Sequence, residues 1–464
     1  SLFVIVGLWR YHIALTRPLL LLDESAYLAN GVAIVEEGKF PKIPDSPGVS
    51  YIHALSYFFL KHHPLGMDYA GRITSFLGGI LLCALLYLAV QHSLGRAYGM
   101  LSVVLSLLYY PLYFLDRNSS DFLFALMESA LLVFLVAIEQ NRNSFRPLIG
   151  LSIATAVTVL VRNDGFLIFA VLTPLMWLYF SRESLFRRGQ IFISYWLLPF
   201  ISVISIAVYL AWRTSGDYEV FPVSRTYTAF EQGAGVVQRF VLEKEGRNPW
   251  TEGGNISREV FGTPEENERN VLLALLRNPR AWIQRIQMNI RDFFIRWFES
   301  HNGRLVTVSL LLSWFGWVTL LTQRRFFLFA SVGSLFLSTL PYFIFTFWRS
   351  GYISMHSPLI LFLSLHAIFI IEKGSYCIPE IATQPRDIKV RIILGSIAVI
   401  LLAALIWYAA KYSDYTYGAE GRIEGGISLS EIVSGVIVWW LFMWPILVPQ
   451  KPPKREFRIA GIAF

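Results

Sequence analysis

Long runs of apolar residues, separated by short polar segments, set the pattern of this chain. Many of these runs carry almost no charge over about 17–25 residues, the length that a helix needs to cross the hydrocarbon core of a bilayer. The pattern therefore predicts an all-α polytopic membrane protein with about 11–13 spans. The predicted spans are a partial one at 1–15, then 69–91, 100–115, 121–139, 147–161, 165–180, 190–212, 305–321, 326–347, 352–371, 391–410 and 427–448.

Some apolar segments are too short or too polar to be full spans. The runs 147–161 and 165–180 are short, and whether they cross completely stays open. The run 51–60 is shorter still and predicts an interfacial helix. The segment 213–304 has a loop-like first half rich in Gly, Glu and Asn. Its second half, 279–299, alternates arginines with large apolar residues at helical spacing, which predicts a helix lying in the membrane interface.

The basic residues orient the predicted spans, because cytoplasmic loops carry an excess of Lys and Arg. If the tail after Val448 is cytoplasmic, every short loop on the same side is basic. We therefore expect a multi-pass protein of the plasma (inner) membrane, with its active face periplasmic or extracellular. The basic residues of the inner loops are Arg96, Arg142, Arg146, Arg182, Arg187, Arg188, Arg324, Arg325, Lys373, Arg386, Lys389 and Arg391.

The same arrangement divides the chain into three parts. The first is an N-terminal transmembrane module, 1–212, which contains the first extracytoplasmic loop, 16–68. The second is the large extracytoplasmic loop 213–304. The third, 305–464, is a C-terminal transmembrane module with a short basic cytoplasmic tail.

Composition and motifs exclude several functions. Charged residues make up 16% of the chain, whereas about 25% is usual for soluble domains. The net charge of +8 comes mainly from basic residues in the short loops, so we predict no nucleic-acid partner. Two cysteines imply no disulfide framework. We find no dinucleotide-binding or phosphate-binding glycine loop and no zinc motif, so no cofactor and no metal ligands are assigned.

Two adjacent acids, Asp23 and Glu24, begin the first outer loop directly after the first predicted span. Charge so near hydrocarbon is costly unless it serves a purpose. One purpose is general-base catalysis, in which a carboxylate deprotonates an acceptor. The alternative is a helix start, with Asp23 as N-cap and Glu24 in the first turn.

The other outer loops bring further charges to the same face. Arg117, Arg162 and Arg349 lie at this face, which suits the binding of a lipid phosphate. They could instead neutralise nearby acids in structural pairs. Asp121 is read as the N-cap of the next helix. Glu128, two turns further on, is either functional or part of a buried pair.

Several short segments together resemble the GT-C glycosyltransferases. The closest group is the dolichyl-phosphate-mannose protein mannosyltransferase-like one, which includes the bacterial aminoarabinose lipid A transferases. The segments that carry the resemblance are Asp23-Glu24 with Tyr27 and Gly38, Ser46-Pro47-Gly48-Val49-Ser50-Tyr51, Ala70-Gly71-Arg72-Ile73-Thr74-Ser75, the turn 95–99, Tyr110-Pro111, Asp121-Phe122-Leu123, Arg162-Asn163-Asp164-Gly165, and Arg349 with Tyr352 and Pro358.

The resemblance implies a GT-C-type transmembrane helix bundle with helical extracytoplasmic loops. It implies inverting transfer of a sugar from a polyprenyl-phosphate carrier to a protein, lipid or glycan acceptor. Asp23 would be the catalytic base with Glu24 beside it, and Asp121 would shape the acceptor side or a metal site. Metal use varies in this superfamily, so a divalent ion is left open. The residues proposed to bind substrate are Tyr27, Arg72, Arg117, Asp121, Arg162, Arg349, Tyr352 and His356.

Two other functions stay open at this point. A transporter or flippase of lipid-linked substrates would place charges near the bilayer midplane and show repeated halves. A non-catalytic subunit of a larger membrane complex could keep the same scaffold. The residues leave the sugar and the acceptor open, and membrane lipids are the remaining expected partners.

Overall fold

The computed structural model describes residues 22–42, 46–108, 120–141, 144–216, 223–236, 242, 245–299, 303–323, 325–340, 344 and 355–373. At some helix ends, including 22–24 and 290–299, it describes the backbone alone. Three predicted spans, 1–15, 391–410 and 427–448, lie outside these residues. Every regular element within them is helical, as the apolar pattern predicts.

Sixteen helices are numbered here in chain order over the described residues. The helix α8 continues through a π-helical turn, Ile193–Leu197, directly into α9. The helices are α1 Leu22–Glu37, α2 Pro47–Leu60, α3 Gly66–Leu94, α4 Arg96–Leu108, α5 Ser120–Gln140, α6 Arg146–Val161, α7 Gly165–Tyr179, α8 Leu185–Phe192, α9 Leu198–Ser215, α10 Val223–Val236, α11 Pro249–Phe261, α12 Val271–Arg277, α13 Pro279–Glu299, α14 Gly303–Thr322, α15 Phe326–Leu337 and α16 Ser357–Lys373.

Three described helices are long and apolar enough to cross a membrane: Gly66–Leu94, Ser120–Gln140 and Leu185–Thr214. They coincide with the predicted spans 69–91, 121–139 and 190–212. The chain is therefore a helical membrane protein over the part that the structure describes. The helices α6 and α7 are shorter apolar helices. The total of about 11–13 spans stays a prediction.

Several side chains inside the apolar helices donate hydrogen bonds to backbone carbonyls or to a neighbouring side chain. The hydroxyls of Thr155 and Thr158 donate to backbone carbonyls four residues earlier, at 2.8 and 2.7 Å. Near the π-helical turn, Ser152 donates to the carbonyl of Trp196 at 2.5 Å, and the indole of Trp196 donates to Thr173 at 3.1 Å. Pro199 just after the turn lacks an N–H and so interrupts the regular backbone pattern. The two hydrogen bonds of Trp196 join α6, α7 and the continuous α8–α9 helix.

Arg325 joins three helices at one end of the bundle. Its guanidinium pairs with Glu139 at the end of α5 and donates to the Ser93 hydroxyl of α3 at 2.9 Å. Arg325 itself directly precedes α15. The sequence assigns Arg325 to a basic inner loop, and here its charge serves helix packing.

The chain divides into two compact units. One contains residues 1–290 and 320–362, and the other contains 291–319 and 363–464. In the second unit α14 and α16 pack closely, since Ser364 donates to the carbonyl of Ser309 at 2.7 Å. The predicted limits at 212 and 304 stay predictions.

The first half of 213–304 is not the loop that its composition suggests. It holds α10, α11 and α12, which enclose a small core. Asn248 and Asn270 cap α11 and α12 by accepting from backbone N–H groups at 3.0 and 2.9 Å. The glycines that favour a loop instead let two helices approach closely. The helix α13 matches the predicted helix 279–299. The core residues are Tyr227, Phe230, Phe261, Ala274 and Leu275.

Replacing Gly235 with alanine is expected to destabilise this helical segment by about 1–3 kcal/mol, because it overpacks a tight contact. A Cβ at Gly235 would collide with the Pro249 carbonyl and the backbone of Gly253. Gly254 is the matched control, since a Cβ there meets nothing within 4 Å, and alanine at a helix interior gains up to about 1 kcal/mol. Proteolysis rates of the two variants in detergent would measure the difference. Equal rates would contradict the close packing of α10 on α11.

Candidate functional site

A short turn, Arg162 to Asp164, joins α6 to α7 and forms the centre of the candidate site. Arg162 follows the last residue of α6, and its N–H bonds to the Thr158 carbonyl at 2.8 Å. Asp164 directly precedes α7. The helix α5 begins nearby at Ser120. Three helix ends therefore place charged side chains in one small region.

Arg162 is held by two carboxylates. Its Nε donates to Asp164 Oδ2 at 2.8 Å, and its Nη1 pairs with Asp121 Oδ1. The same Nη1 lies 3.4 Å from the Ser120 hydroxyl. Arg162 and Asp121 are 9% and 8% exposed, so these are nearly buried ion pairs. Arg162 therefore forms the structural ion pairs that were one of its two predicted roles. The charges of Arg162, Asp121 and Asp164 sum to −1.

Asp121 differs from its predicted place. It is the second residue of α5, inside the first turn, and not the N-cap. Its carboxylate bonds to the guanidinium of Arg162, which is a stronger partner than a neutral backbone N–H. The ion pair therefore determines the position of this acid.

The first outer loop packs against the same helix end. A Cβ at Gly48, near the start of α2, would lie only 3.0 Å from the Leu160 carbonyl carbon in α6. Gly31 of α1 meets α2 equally closely, with a built Cβ 2.9 Å from that of His53. The helices α1 and α2 are therefore tied to the end of α6 that carries Arg162.

Asp23 and Glu24 lie in the first turn of α1, which begins at Leu22. Their side chains are outside the described part of the structure. Tyr27 is buried and follows Asp23 by four residues, so the two positions share one helix face. By these bounds Asp23 is the second residue of α1 and not its N-cap, and the role of Asp23 as a base stays a prediction.

Polar atoms at the junction of α2 with the Arg162 turn lack partners. The hydroxyls of Ser50 and Tyr51 and the side-chain oxygen of Asn163 are buried, with no hydrogen bond among the described residues. Burial raises the pKa of Tyr51 to about 12, so its phenol keeps its proton. Buried polar atoms usually bond to protein, water or a ligand. These three atoms, however, are without a hydrogen-bond partner among the described residues.

Arg72 is engaged within its own helix. Its Nε donates to Asp68 Oδ2 at 2.7 Å, one turn earlier in α3. Both side chains are partly exposed. The structure therefore places Arg72 near the start of a candidate span, beside an acid.

Glu128 and His356 form a buried pair deep in the bundle. His356 Nδ1 lies 2.6 Å from Glu128 Oε1, and both side chains are almost fully buried. The rings of Phe124 and Phe336 flank the imidazole, with centroids 5.6 and 5.9 Å from it. Glu128 lies about 10 Å along α5 from Asp121. Of the two predicted roles for Glu128, the buried pair is therefore the one observed, and its partner is His356.

Replacing His356 with leucine is expected to lower the free energy of unfolding by about 3–5 kcal/mol, because the Glu128 carboxyl loses its partner in an apolar environment. Adding Glu128→Met should recover most of this loss, since an apolar pair of similar volume is often neutral. Unfolding by sodium dodecyl sulfate in mixed micelles would measure the free energy of unfolding of each single variant and of the double variant. A double variant as unstable as the sum of the singles would contradict direct coupling.

Three candidate residues, Arg117, Arg349 and Tyr352, fall outside the described residues. Within the described ranges no group of three or more His, Cys, Asp and Glu side chains is placed to hold a metal ion. Sequence patterns suggest a buried pair for Glu128 but do not identify His356 as its partner, because the two residues are 228 positions apart. Asp164, by contrast, is only two residues from Arg162, so their contact could be predicted from the sequence.

Comparisons of the chain with protein-family models, with curated proteins and with solved structures found no match. The residues and their geometry are therefore the basis for assigning a function.

Proposed function

We propose that this protein is an inverting membrane glycosyltransferase that moves a sugar from a polyprenyl-phosphate carrier to an acceptor at the extracytoplasmic face. One observation carries the proposal: α2 of the first outer loop packs on the end of α6 beside Arg162. That loop also carries Asp23 and Glu24. The packing supports a shared site built from acids of the first loop and a guanidinium from the middle of the chain.

The chemistry needs one base and a stabilised leaving group. The Asp23 carboxylate takes a proton from an acceptor hydroxyl or amine, with Glu24 beside it. The acceptor atom bonds to the anomeric carbon as the bond from that carbon to the phosphate oxygen breaks, with inversion. The lipid phosphate leaves as an anion. Because it is a good leaving group, the protein mainly has to position the reactants and stabilise charge.

The arginines take different parts in this proposal. Arg162 faces two carboxylates, so it fixes the turn beside the carrier phosphate and adds little net positive charge. Arg349 then supplies positive charge for the phosphate, and Arg72, whose charge is balanced by Asp68, adds hydrogen-bond donors. Asp121 shapes the acceptor side.

The direct test incubates the purified full chain with a panel of polyprenyl-phosphate sugars and candidate acceptors, with and without Mg²⁺. We expect at least one donor to release polyprenyl phosphate together with a glycosylated acceptor. Absence of release from every donor, from protein that is monodisperse and folded, would contradict the proposal and favour a non-catalytic subunit.

A second function is favoured by the Glu128–His356 pair. Ionisable residues deep in membrane spans often serve proton-coupled transport. Glu128 in α5 and His356, which directly precedes α16, are both almost fully buried. A flippase would move a lipid-linked sugar across proteoliposomes without releasing its phosphate. Measuring translocation and release in the same vesicles separates the two functions.

A further inference from the structure

The helix α2 presents its large apolar side chains away from the protein. Leu55, Phe58 and Phe59 are 64%, 55% and 75% exposed. The opposite face, which contains Ser50 and His53, is buried against other helices. A helix exposed to water would show the reverse arrangement. The exposed face of α2 therefore requires an apolar environment.

This face is close in sequence and space to a membrane-facing surface. After a short turn, α3 begins, and its exposed residues recur every fourth position. The ring of His63 in the turn lies 4.8 Å from that of Tyr69 in α3. Because α3 is a candidate span, its exposed apolar stripe is suited to contact lipid. The stripe comprises Tyr69, Ile73, Leu77 and Leu81.

The charges around this face suit a lipid headgroup. Residues 46–67 contain no Asp or Glu. Lys61 is exposed directly after α2, with its ammonium 5.4 Å from the ring centroid of Phe58. A lysine in this position can lay its apolar stem along hydrocarbon while its ammonium reaches a phosphate.

We propose that α2 lies in a membrane–water interface and binds the phospholipid leaflet through the α2 lipid surface, formed by Leu55, Phe58, Phe59 and Lys61. The aromatic side chains insert among the acyl chains, and Lys61 contacts a lipid phosphate. Continuity with the exposed stripe of α3 and the absence of acids within 46–67 favour lipid over another protein chain. This inference is independent of sugar transfer, because it concerns the outer face of α2 and not the Arg162 turn.

Spin-label accessibility in nanodiscs tests the position of the helix. The full chain with Cys83→Ala and Cys377→Ser would carry a nitroxide at Phe59→Cys, or at Glu259→Cys as an exposed control in α11. We expect the label at position 59 to collide more often with oxygen, which is concentrated in the bilayer, than with a water-soluble nickel chelate. The label at position 259 should show the opposite preference.

Two results would overturn the proposal. Preference for the nickel chelate at position 59 would place the helix in water, and protection from both reagents would indicate a protein partner or a second copy. The lysine is tested by counting phosphatidylglycerol molecules retained in native mass spectrometry. Lys61→Gln should retain fewer than the wild type, whereas Lys39→Gln, at a lysine paired with Glu37, should not. Equal retention by the two variants would remove Lys61 from the lipid surface.

Discussion

Asp23→Asn is expected to abolish sugar transfer while the protein still folds and inserts. An amide has the shape of the carboxyl group but cannot accept the acceptor's proton, and general bases commonly contribute about 10²–10⁴-fold to a rate. Asp23 is the second residue of α1, and Asn and Asp have similar helix propensities. The helix should therefore persist. The measurement is the rate of polyprenyl phosphate release at saturating donor.

Glu36→Gln is the matched control for this substitution. Glu36 is an exposed acid near the other end of α1, and it accepts a hydrogen bond from Tyr57 at 3.3 Å. Its loss should leave the rate nearly unchanged. If the Asp23→Asn variant transfers sugar near the wild-type rate, Asp23 is not the base.

Arg162→Met is expected to cause the largest combined loss of stability and activity. The substitution leaves Asp121 and Asp164 facing each other without the guanidinium that pairs with both. Removing one partner from a buried ion pair costs about 3–5 kcal/mol. The distorted turn would also lose the geometry required for the carrier phosphate. Thermal unfolding in detergent and the release assay measure the two effects.

Neutralising the two acids separates folding from function. A triple variant with Arg162→Met, Asp121→Asn and Asp164→Asn also removes the two carboxylate charges that Arg162 balances, so we expect most of the stability to return. Sugar transfer should stay lost, because the charged turn beside the carrier is absent. Recovery of transfer together with stability would limit Arg162 to a structural role. Arg213→Met, at an exposed arginine, controls for loss of a positive charge.

The long spans were predictable because twenty or so consecutive apolar residues have few alternatives to crossing the bilayer. The helices Gly66–Leu94 and Ser120–Gln140 extend the predicted spans by only a few residues at each end. The amphipathic helix Pro279–Glu299 was predicted for a related reason, since its arginines and aromatic residues alternate with helical period.

The helices within 223–277 were missed because their stability depends on contacts between segments. Their glycines lower helix propensity, yet Gly235 and Gly253 are the residues that allow α10 and α11 to touch. A buried arginine beside this core, Arg285, lies over the ring of Phe230 at 4.6 Å and donates to its carbonyl. Burial lowers the pKa of Arg285 to about 9. Such packing has no signature in local composition.

The candidate site was predictable in part. The pattern placed Arg162, Asp121 and Asp164 at one face, and the structure brings these three together. It could not tell whether the arginine would face acids or a ligand, since both arrangements use the same residue types. The deep partner of Glu128 was also beyond reach, because His356 belongs to a distant segment.

The shared site of Asp23 and Arg162 is tested most directly by a cryo-electron-microscopy map of the protein in nanodiscs with polyprenyl monophosphate bound. We expect an isoprenoid density whose phosphate lies at the Arg162 turn, with the Asp23 carboxylate directed into the same site from α1. A map with the Asp23 side chain pointing away from that turn, or with the phosphate bound elsewhere, would contradict it.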